Sequence, residues 1–263
     1  MKMIKTLMPL LLALLMGFTF QAQAADVDYA AAVDKSGKQR MLSQKIAKAY
    51  FFLGSNVRPD KAKQQLQDSV ALFRKNHNEL KAEIKDQGVQ EMLAFVDFAI
   101  DEYADLASRP YSQENAALVL DLSETLLEAS QDIVVKIEGL SKVKKSKIVN
   151  ISGRQRMLSQ RIAKYYIAYQ AGFRDQNSVT QLEKAVQEFE QALGYLKQQK
   201  LNPPEIDAHL TKVNRLWRIV RGFFLGVEKG GLPVTVFATT DNIMDSMNTV
   251  TGLYVKASEA SGG

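Results

Sequence analysis

The chain contains the same unusual stretch twice. Residues 36–50 read SGKQRMLSQKIAKAY and residues 152–166 read SGRQRMLSQRIAKYY, a separation of 116 positions. Twelve of the fifteen aligned residues are identical, and two of the three differences exchange lysine for arginine. The match continues at the same separation through Leu66 and Leu182, then Phe73 and Phe189. A repeat of this length indicates two copies of a whole domain rather than a solenoid of short units.

Within each copy the apolar residues follow a helical period. Leu66, Val70, Phe73 and Leu80 fall on one face of a 3.6-residue repeat, and prolines and glycines divide each copy into four segments of roughly 20 to 28 residues. The strand-like stretch Val234–Ala238 is expected to begin a helix. The sequence therefore predicts an all-α fold of two tandem antiparallel four-helix-bundle modules, at residues 25–141 and 142–263, which meet near Leu140–Ser146.

Residues 1–24 are predicted to be a signal peptide. Lys2 and Lys5 precede the apolar run Leu7–Phe20, and Ala22-Gln23-Ala24 supplies the small residues that signal peptidase recognises. The run is shorter than the about 20 residues that a membrane-spanning helix needs, and no later segment is long and apolar enough to span. We expect cleavage after Ala24 and a mature protein that is soluble and periplasmic.

Composition argues against several functional classes. The chain has no cysteine, so it has neither disulfides nor thiol chemistry, and its two histidines, His77 and His209, have no metal-ligand spacing. We find no nucleophile elbow or phosphate loop, and expect a protein that is not an enzyme, with no catalytic residue, cofactor or metal. The net charge of +5 falls to +3 without the two leader lysines, which is too small to indicate nucleic-acid binding.

A helical projection of the repeated stretch gives three faces at about 100° per residue. The expected solvated face holds Lys38, Met41, Lys45 and Lys48, and the expected core stripe holds Leu42, Ile46, Tyr50 and Leu53. The third face holds Ser36, Arg40, Ser43 and Ala47, with Gly37 and Gln44 at its edge. In the second copy Arg156 lies with Ser152, Ser159 and Ala163, opposite Arg154, Arg161 and Lys164. We therefore expect Arg40 and Arg156 to be protected from solvent, unlike Lys38, Lys45, Arg154 and Arg161.

Gly37 and Gly153 recur although glycine within a helix costs roughly 1 kcal/mol relative to alanine. We expect close approach by another backbone at these positions. A buried arginine also needs a partner, yet no Asp or Glu occurs at 35–54 or 151–172. The counter-ion is either a carboxylate on another helix, in a structural salt bridge, or a bound anion.

The stretch SGRQRMLSQRIAK resembles the signature of the PilJ-type domain, the periplasmic sensing module of type IV pilus chemotaxis transducers. It is also similar to the P-box of nitrate and nitrite sensor kinases, in which an arginine from each subunit binds one anion on the two-fold axis of a dimer. The sensors carry a lysine before the P-box glycine, which Lys35 matches and Ile151 does not, and the QRMLSQ sequence is the PilJ form.

The resemblance implies an anion site whose residues come from both copies. It places Arg40 and Arg156 at the anion-binding position and Gly37 and Gly153 at that of the P-box glycine. A nitrate-like anion, a carboxylate or a phosphate suits the guanidinium fork. The remaining candidate ligand residues are Ser36, Ser152, Ser43, Ser159, Gln44, Gln160 and Lys35.

Two functional hypotheses follow. One is a periplasmic ligand-binding sensor that signals through a membrane-bound transducer or sensor kinase, since this sequence contains no spanning helix or cytoplasmic signalling segment. The other is a helical adaptor of chemotaxis or pilus systems in which both arginines are structural and no small ligand binds.

The packing of the two copies decides whether one chain can form a shared site. Side-by-side modules need a chain reversal near Gly139-Leu140-Ser141, for which glycine is a common signal, and would bring the guanidinium groups of Arg40 and Arg156 face to face. End-to-end modules, with a rise of about 1.5 Å per residue, would hold them tens of ångströms apart rather than about 10 Å. We favour the side-by-side arrangement.

Overall fold

Prolines and aspartates set where the helices begin. The computed structural model describes residues 27–140, 146–200 and 202–260. Pro59 and Pro204 occupy the first turn of their helices, where a backbone N–H would lack an intrahelical partner anyway. Asp28, Asp86 and Asp175 accept hydrogen bonds from first-turn N–H groups through their side chains, the usual N-cap role. The helices are α1 (Tyr29–Gly54), α2 (Pro59–Glu83), α3 (Gln87–Ser108), α4 (Gln113–Leu140), α5 (Ser146–Gln170), α6 (Gln176–Lys197), α7 (Pro204–Leu225) and α8 (Pro233–Ala260), with a 3-10 turn at Val227–Lys229.

Each copy forms a four-helix bundle, as the sequence predicts. In the first copy α1 packs against α2 and α4, and α3 packs against α4 and α2; in the second, α5 packs against α6 and α8, and α7 against α8 and α6. The helices run between 22 and 28 residues, and Val234–Ala238 lies in the first turns of α8. The bundle cores bury Phe73 and Phe189, which align in the repeat.

The two bundles lie side by side along α1 and α5, which make the largest helix–helix contact in the described part of the chain. Asp34 contacts Arg156, Lys48 contacts Gln160 and Phe51 contacts Phe173, so residue number rises along both helices in the same direction. The repeated stretches are thus a parallel pair related by an approximate two-fold axis. The side-by-side arrangement favoured from the sequence is confirmed.

The predicted solvated face of the first helix is wrong for Met41 and Lys48. Their exposed fractions are 6% and 0%, because α1 is covered by α2, α4 and α5 and also touches α8. The projection assumed a helix with one solvent-facing side, whereas a helix at the centre of two joined bundles has little such surface. Lys164, the repeat counterpart of Lys48, is also fully buried.

Two predicted features lie outside the described residues. These are the signal peptide at residues 1–24 and the part of the chain reversal that follows Leu140; of the residues expected to start the reversal, Gly139 and Leu140 are the last two of α4. Among the helices that the structure does describe, none is both long enough and apolar enough to cross a bilayer.

Candidate functional site

The guanidinium groups of Arg40 and Arg156 converge where α1 and α5 meet. Both residues are 1% exposed, as the sequence predicts. A Cβ built on Gly37 would lie 3.2 Å from Nη2 of Arg40 and 3.4 Å from Nη2 of Arg156. The two nitrogens are therefore no further apart than the sum of these distances. One chain brings together the two arginines that the resemblance assigns to two subunits.

The glycines leave room for the arginines rather than for a neighbouring backbone, so the expected backbone approach is wrong. At Gly37 the nearest atoms to an added Cβ are the two guanidinium nitrogens, and at Gly153 the nearest is Nη2 of Arg156, at 3.0 Å. A methyl group at either position would contact a guanidinium group tightly. Glycine therefore recurs at this helical position because the guanidinium groups of Arg40 and Arg156 occupy the space that a side chain would need.

Arg156 has an internal counter-ion. Its Nη1 lies 2.8 Å from Oδ1 of Asp34 on α1 and donates a 2.9 Å hydrogen bond to Oδ1 of Asn248 on α8. The Asp34 oxygen is close to Arg156 but forms no aligned hydrogen bond. Burial alone would raise the pKa of Asp34, but Arg156 and Lys38 outweigh it and lower that pKa. Of the two counter-ions that the sequence allowed, Arg156 therefore has the carboxylate on another helix. Asp34 lies one position before residues 35–54, which contain no Asp or Glu.

Arg40 has only neutral partners for its hydrogen bonds. It donates from Nη1 to Oε1 of Gln131 at 2.6 Å and from Nη2 to Oδ1 of Asn150 at 2.8 Å. Its Nε is buried and donates to no group in the described residues. Burial, together with repulsion from Arg154 and Arg156, lowers the pKa of Arg40 to about 9, although the more distant Glu138 opposes this. A buried charge without an adjacent carboxylate is costly, and this one is compensated only in part.

The difference between the two arginines comes from one aligned pair of residues. Asp34 and Asn150 occupy the same place in the repeat and each faces the arginine of the other copy. The second partners, Gln131 and Asn248, also correspond when the separation is counted as 117. The cluster is thus symmetric in shape but has a carboxylate on one side and an amide on the other.

The candidate serines bond to their own helices. Ser43 donates to the backbone carbonyl of Arg40 at 2.9 Å and Ser159 to that of Arg156 at 2.8 Å. Ser36 and Ser152 likewise donate to carbonyls one turn earlier. All four are buried. Their small size lets α1 and α5 pack around the guanidinium groups, while their hydroxyl hydrogens are already used.

Gln44, Gln160 and Lys35 also have partners away from the arginines. Each glutamine donates to a backbone carbonyl on the last helix of its copy, at Ser123 and Thr240. Lys35 lies 3.0 Å from Glu79 and 2.6 Å from Glu83, so it joins α1 to α2. Of the predicted site residues, the structure brings together Arg40, Arg156, Gly37 and Gly153, and places the others in the surrounding scaffold.

Comparison with known proteins identifies the family. The family described as type IV pili methyl-accepting chemotaxis transducer N-term, PilJ, matches residues 25–125 and again residues 141–230. The chain belongs to the PilJ family. No curated protein and no solved structure matches it. The chain is therefore a tandem of PilJ domains, helical domains of chemotaxis- and pilus-related sensory proteins.

A second layer of buried charge, which the helical projection does not predict, joins the two PilJ copies. Lys48 forms an ion pair with Asp241 of α8 and donates to Oε1 of Gln160 at 3.0 Å. Lys164 forms an ion pair with Glu124 of α4 and donates to the Ser123 hydroxyl at 2.9 Å. A sequence signal for these pairs exists only in the last helices of the two copies. Their carboxylates, Glu124 and Asp241, are 117 positions apart, which is also the separation of Gln131 and Asn248.

Burial dominates the titration of both lysines. It lowers the pKa of Lys48, and it lowers that of Lys164 to about 8, although Asp241 and Glu124 act in the opposite direction. Each ion pair joins the repeated helix of one copy to the last helix of the other copy. This layer therefore fixes how the two bundles are positioned around the arginines.

Proposed function

We propose that the protein is a periplasmic sensory module that binds a small anion between Arg40 and Arg156. The observation that carries the proposal is the charge of the cluster. Two buried guanidinium groups converge, and among the described residues one carboxylate, that of Asp34, is adjacent to them. An anion beside Arg40 would supply the missing counter-charge and an acceptor for its Nε. Burial makes such a contact stronger than it would be in water.

The chemistry of the cluster favours a small monovalent oxyanion. One of two positive charges is already neutralised, so a single negative charge balances the site. A planar guanidinium group donates two parallel hydrogen bonds to a carboxylate or a nitrate-like anion. The amide oxygens of Gln131 and Asn150 are acceptors and would have to move or give up their arginine hydrogens, which couples ligand binding to the contact between α4, α1 and α5.

We further propose that a membrane-bound transducer or sensor kinase reads this change. Support comes from the family, whose description is that of a chemotaxis transducer domain, and from the signal sequence expected at residues 1–24. We expect the mature chain to begin at Ala25 in the periplasmic fraction. Cell fractionation followed by N-terminal sequencing tests this, and recovery from membranes with an intact leader would contradict it.

A thermal-shift titration tests anion binding. Sodium nitrate, formate, acetate and phosphate are compared with chloride at constant ionic strength. An anion present at 100 times its Kd should stabilise the folded protein by about 2.7 kcal/mol, which is roughly 5–10 °C for a chain of this size. Arg40→Lys and Arg156→Lys keep the charge but lose the planar fork, so both should abolish the shift.

Arg154→Lys is the matched control, because Arg154 is adjacent in sequence but half-exposed and paired with Glu188. It should retain the full shift. Loss of the shift in this control, or its persistence in Arg40→Lys, would refute the assignment of the site.

A second function, that of a helical adaptor without a ligand, is favoured by one observation. The salt bridge between Arg156 and Asp34 shows that at least half of the cluster is complete within the protein. If no anion raises the melting temperature and Arg40→Met is less stable than the parent, the arginines are structural and the adaptor function is the better account.

A further inference from the structure

A separate cavity lies between α1, α2 and α8, beside Arg156. Its volume is about 310 Å³, at the lower end of the range of small-molecule sites and equal to the liquid volume of roughly ten water molecules. Met41, Leu42, Leu72 and Met244 form its apolar wall. The cavity therefore suits a ligand of roughly ten non-hydrogen atoms with an apolar body.

Beside Leu72 on α2, two buried polar side chains, Ser69 and Asn76, also line the cavity. Asn76 is 6% exposed and its Nδ2 has no hydrogen-bond partner in the described residues; Ser69 is 2% exposed. At a separation of 116 the second copy has Ala192 and Ala185 at these positions. A buried donor without an acceptor is destabilising, and the second copy forms the same bundle without it. The first copy thus has a buried polar group for which the described residues provide no acceptor.

The cations that line the cavity are less exposed than its carboxylates. Lys38, Lys45 and Arg156 line it together with two carboxylates, Asp68 and Asp245. Both carboxylates belong to exposed residues, whereas Arg156 is 1% exposed. Solvent therefore screens the two lining carboxylates more than the cations. Because Asp34 already pairs with Arg156 and with Lys38, Lys45 is the cation most available to an anion in this cavity.

The corresponding cavity of the second copy keeps only some of these properties. It lies between α4 and α5 and is lined by Glu124, Glu128 and Asp132 as well as by Arg154 and Arg161. Leu127 and Met157 also line it, in the places of Met244 and Met41. The repeat counterpart of Leu72 is Glu188, which pairs with Arg154 at 2.8 Å. The second cleft therefore keeps part of the apolar lining, but an ion-paired glutamate stands in the place of Leu72 and alanines in the places of Ser69 and Asn76.

We propose that the cavity of the first copy binds an amphipathic carboxylic acid of roughly ten non-hydrogen atoms. Its carboxylate accepts hydrogen bonds from Asn76 Nδ2 and pairs with Lys45 and Arg156, while its hydrocarbon body lies against Leu72 and Met244. This site is distinct from the anion position beside Arg40 and does not depend on it. Because Arg156 borders both, an organic acid in the cavity would act on the same arginine pair.

Isothermal titration calorimetry with octanoate and 3-phenylpropanoate tests the proposal. Both should bind the mature protein, and acetate, which lacks the apolar body, should bind at least tenfold more weakly. Two variants introduce the residues that the second bundle has at these positions: the double variant Ser69→Ala, Asn76→Ala and the single variant Leu72→Glu. Each should weaken binding at least tenfold. Glu128→Gln, on the wall of the second cavity, should bind as the parent does.

Failure of both acids to bind at millimolar concentration would overturn the proposal, as would equal binding by the double variant. Binding of leucine in preference to both acids would also overturn it, because the exposed carboxylates would then be the recognition groups. The response of each variant to nitrate or formate is measured in parallel. That response depends on Arg40, so a failure of the cavity proposal is distinguishable from a failure of the anion site.

Discussion

The single substitutions Asp34→Asn and Asn150→Asp should change the affinity for the anion in opposite directions. Among the described residues, Asp34 supplies the carboxylate adjacent to the two arginines. Asp34→Asn removes this carboxylate, so that Arg156, like Arg40, is left with neutral partners. An anion bound between the arginines would be about 6 Å from the Asp34 carboxylate, where repulsion at an effective dielectric constant of 20 amounts to ~3 kcal/mol. Removing it should strengthen binding by a factor of about 10 to 100, since 1.4 kcal/mol corresponds to tenfold.

The same substitution should destabilise the protein without ligand. Breaking one half of a buried ion pair costs about 3 kcal/mol or more because the remaining charge stays buried, which is roughly 6–12 °C in melting temperature for a chain of this size. A saturating anion should recover most of that loss. Melting temperature measured against anion concentration gives both quantities in one experiment.

Asn150→Asp should have the converse effect on binding. It places a carboxylate beside Arg40, so the cluster becomes neutral and anion affinity should fall at least tenfold. The gain in stability should be small, because Asn150 now donates a hydrogen bond to Glu138 at 3.2 Å and the substitution brings two carboxylates together. Asp101→Asn, in an exposed pair with Arg74, is the control and should change neither quantity. If the Asp34 and Asn150 variants shift affinity in the same direction, or not at all, the charge argument is wrong.

Three further predictions concern the packing around the site. Gly37→Ala should abolish anion binding while leaving stability within about 1 kcal/mol, since the gain in helix propensity offsets the contact of the new methyl group with both guanidinium groups; calorimetry and urea unfolding measure the two effects. Lys48→Ala should cost about 3 kcal/mol or more in urea unfolding, because it leaves Asp241 buried without its partner, whereas Lys63→Ala on the exposed face of α2 should cost little. The free energy of unfolding should rise by up to about 3 kcal/mol between pH 8 and 10.5. The reason is that Lys164 loses its proton near pH 8 in the folded protein but keeps it in the unfolded chain over this range. Lys164→Met should lack this rise, and an identical pH profile in the two proteins would contradict the prediction.

The sequence was sufficient to predict the fold because its two strongest signals agree. The repeat indicates two equal domains and the 3.6-residue period indicates helices, and neither depends on knowing which helices touch. The burial of Arg40 and Arg156 was predicted correctly. The expected contrast with Arg161 is wrong, because the side chain of Arg161 is only 12% exposed and pairs with Glu124 of the first copy. The approximate two-fold axis follows from the same repeat once the modules lie side by side.

Contacts between the copies were beyond the sequence analysis. Lys48 and Lys164 resemble solvated lysines in a helical projection, and only the pairing of α1 with α5 and the last helices shows that both are enclosed. Asp34 was missed as the partner of Arg156 because it lies one position before the acid-free window and belongs to the other copy. The glycines were recognised as unusual, but the atoms that approach them are side-chain nitrogens, which helical periodicity does not reveal.

The central claim is that one chain places two arginines around one anion. A crystal structure of the mature protein, grown with the anion that gives the largest thermal shift, tests it most directly. The account predicts one anion per chain within hydrogen-bond distance of both Arg40 and Arg156, with Asp34 retained beside Arg156. A structure in which the two arginines keep only their protein partners, Gln131 and Asn150 for Arg40 and Asp34 and Asn248 for Arg156, at an anion concentration that stabilises the protein, would contradict it.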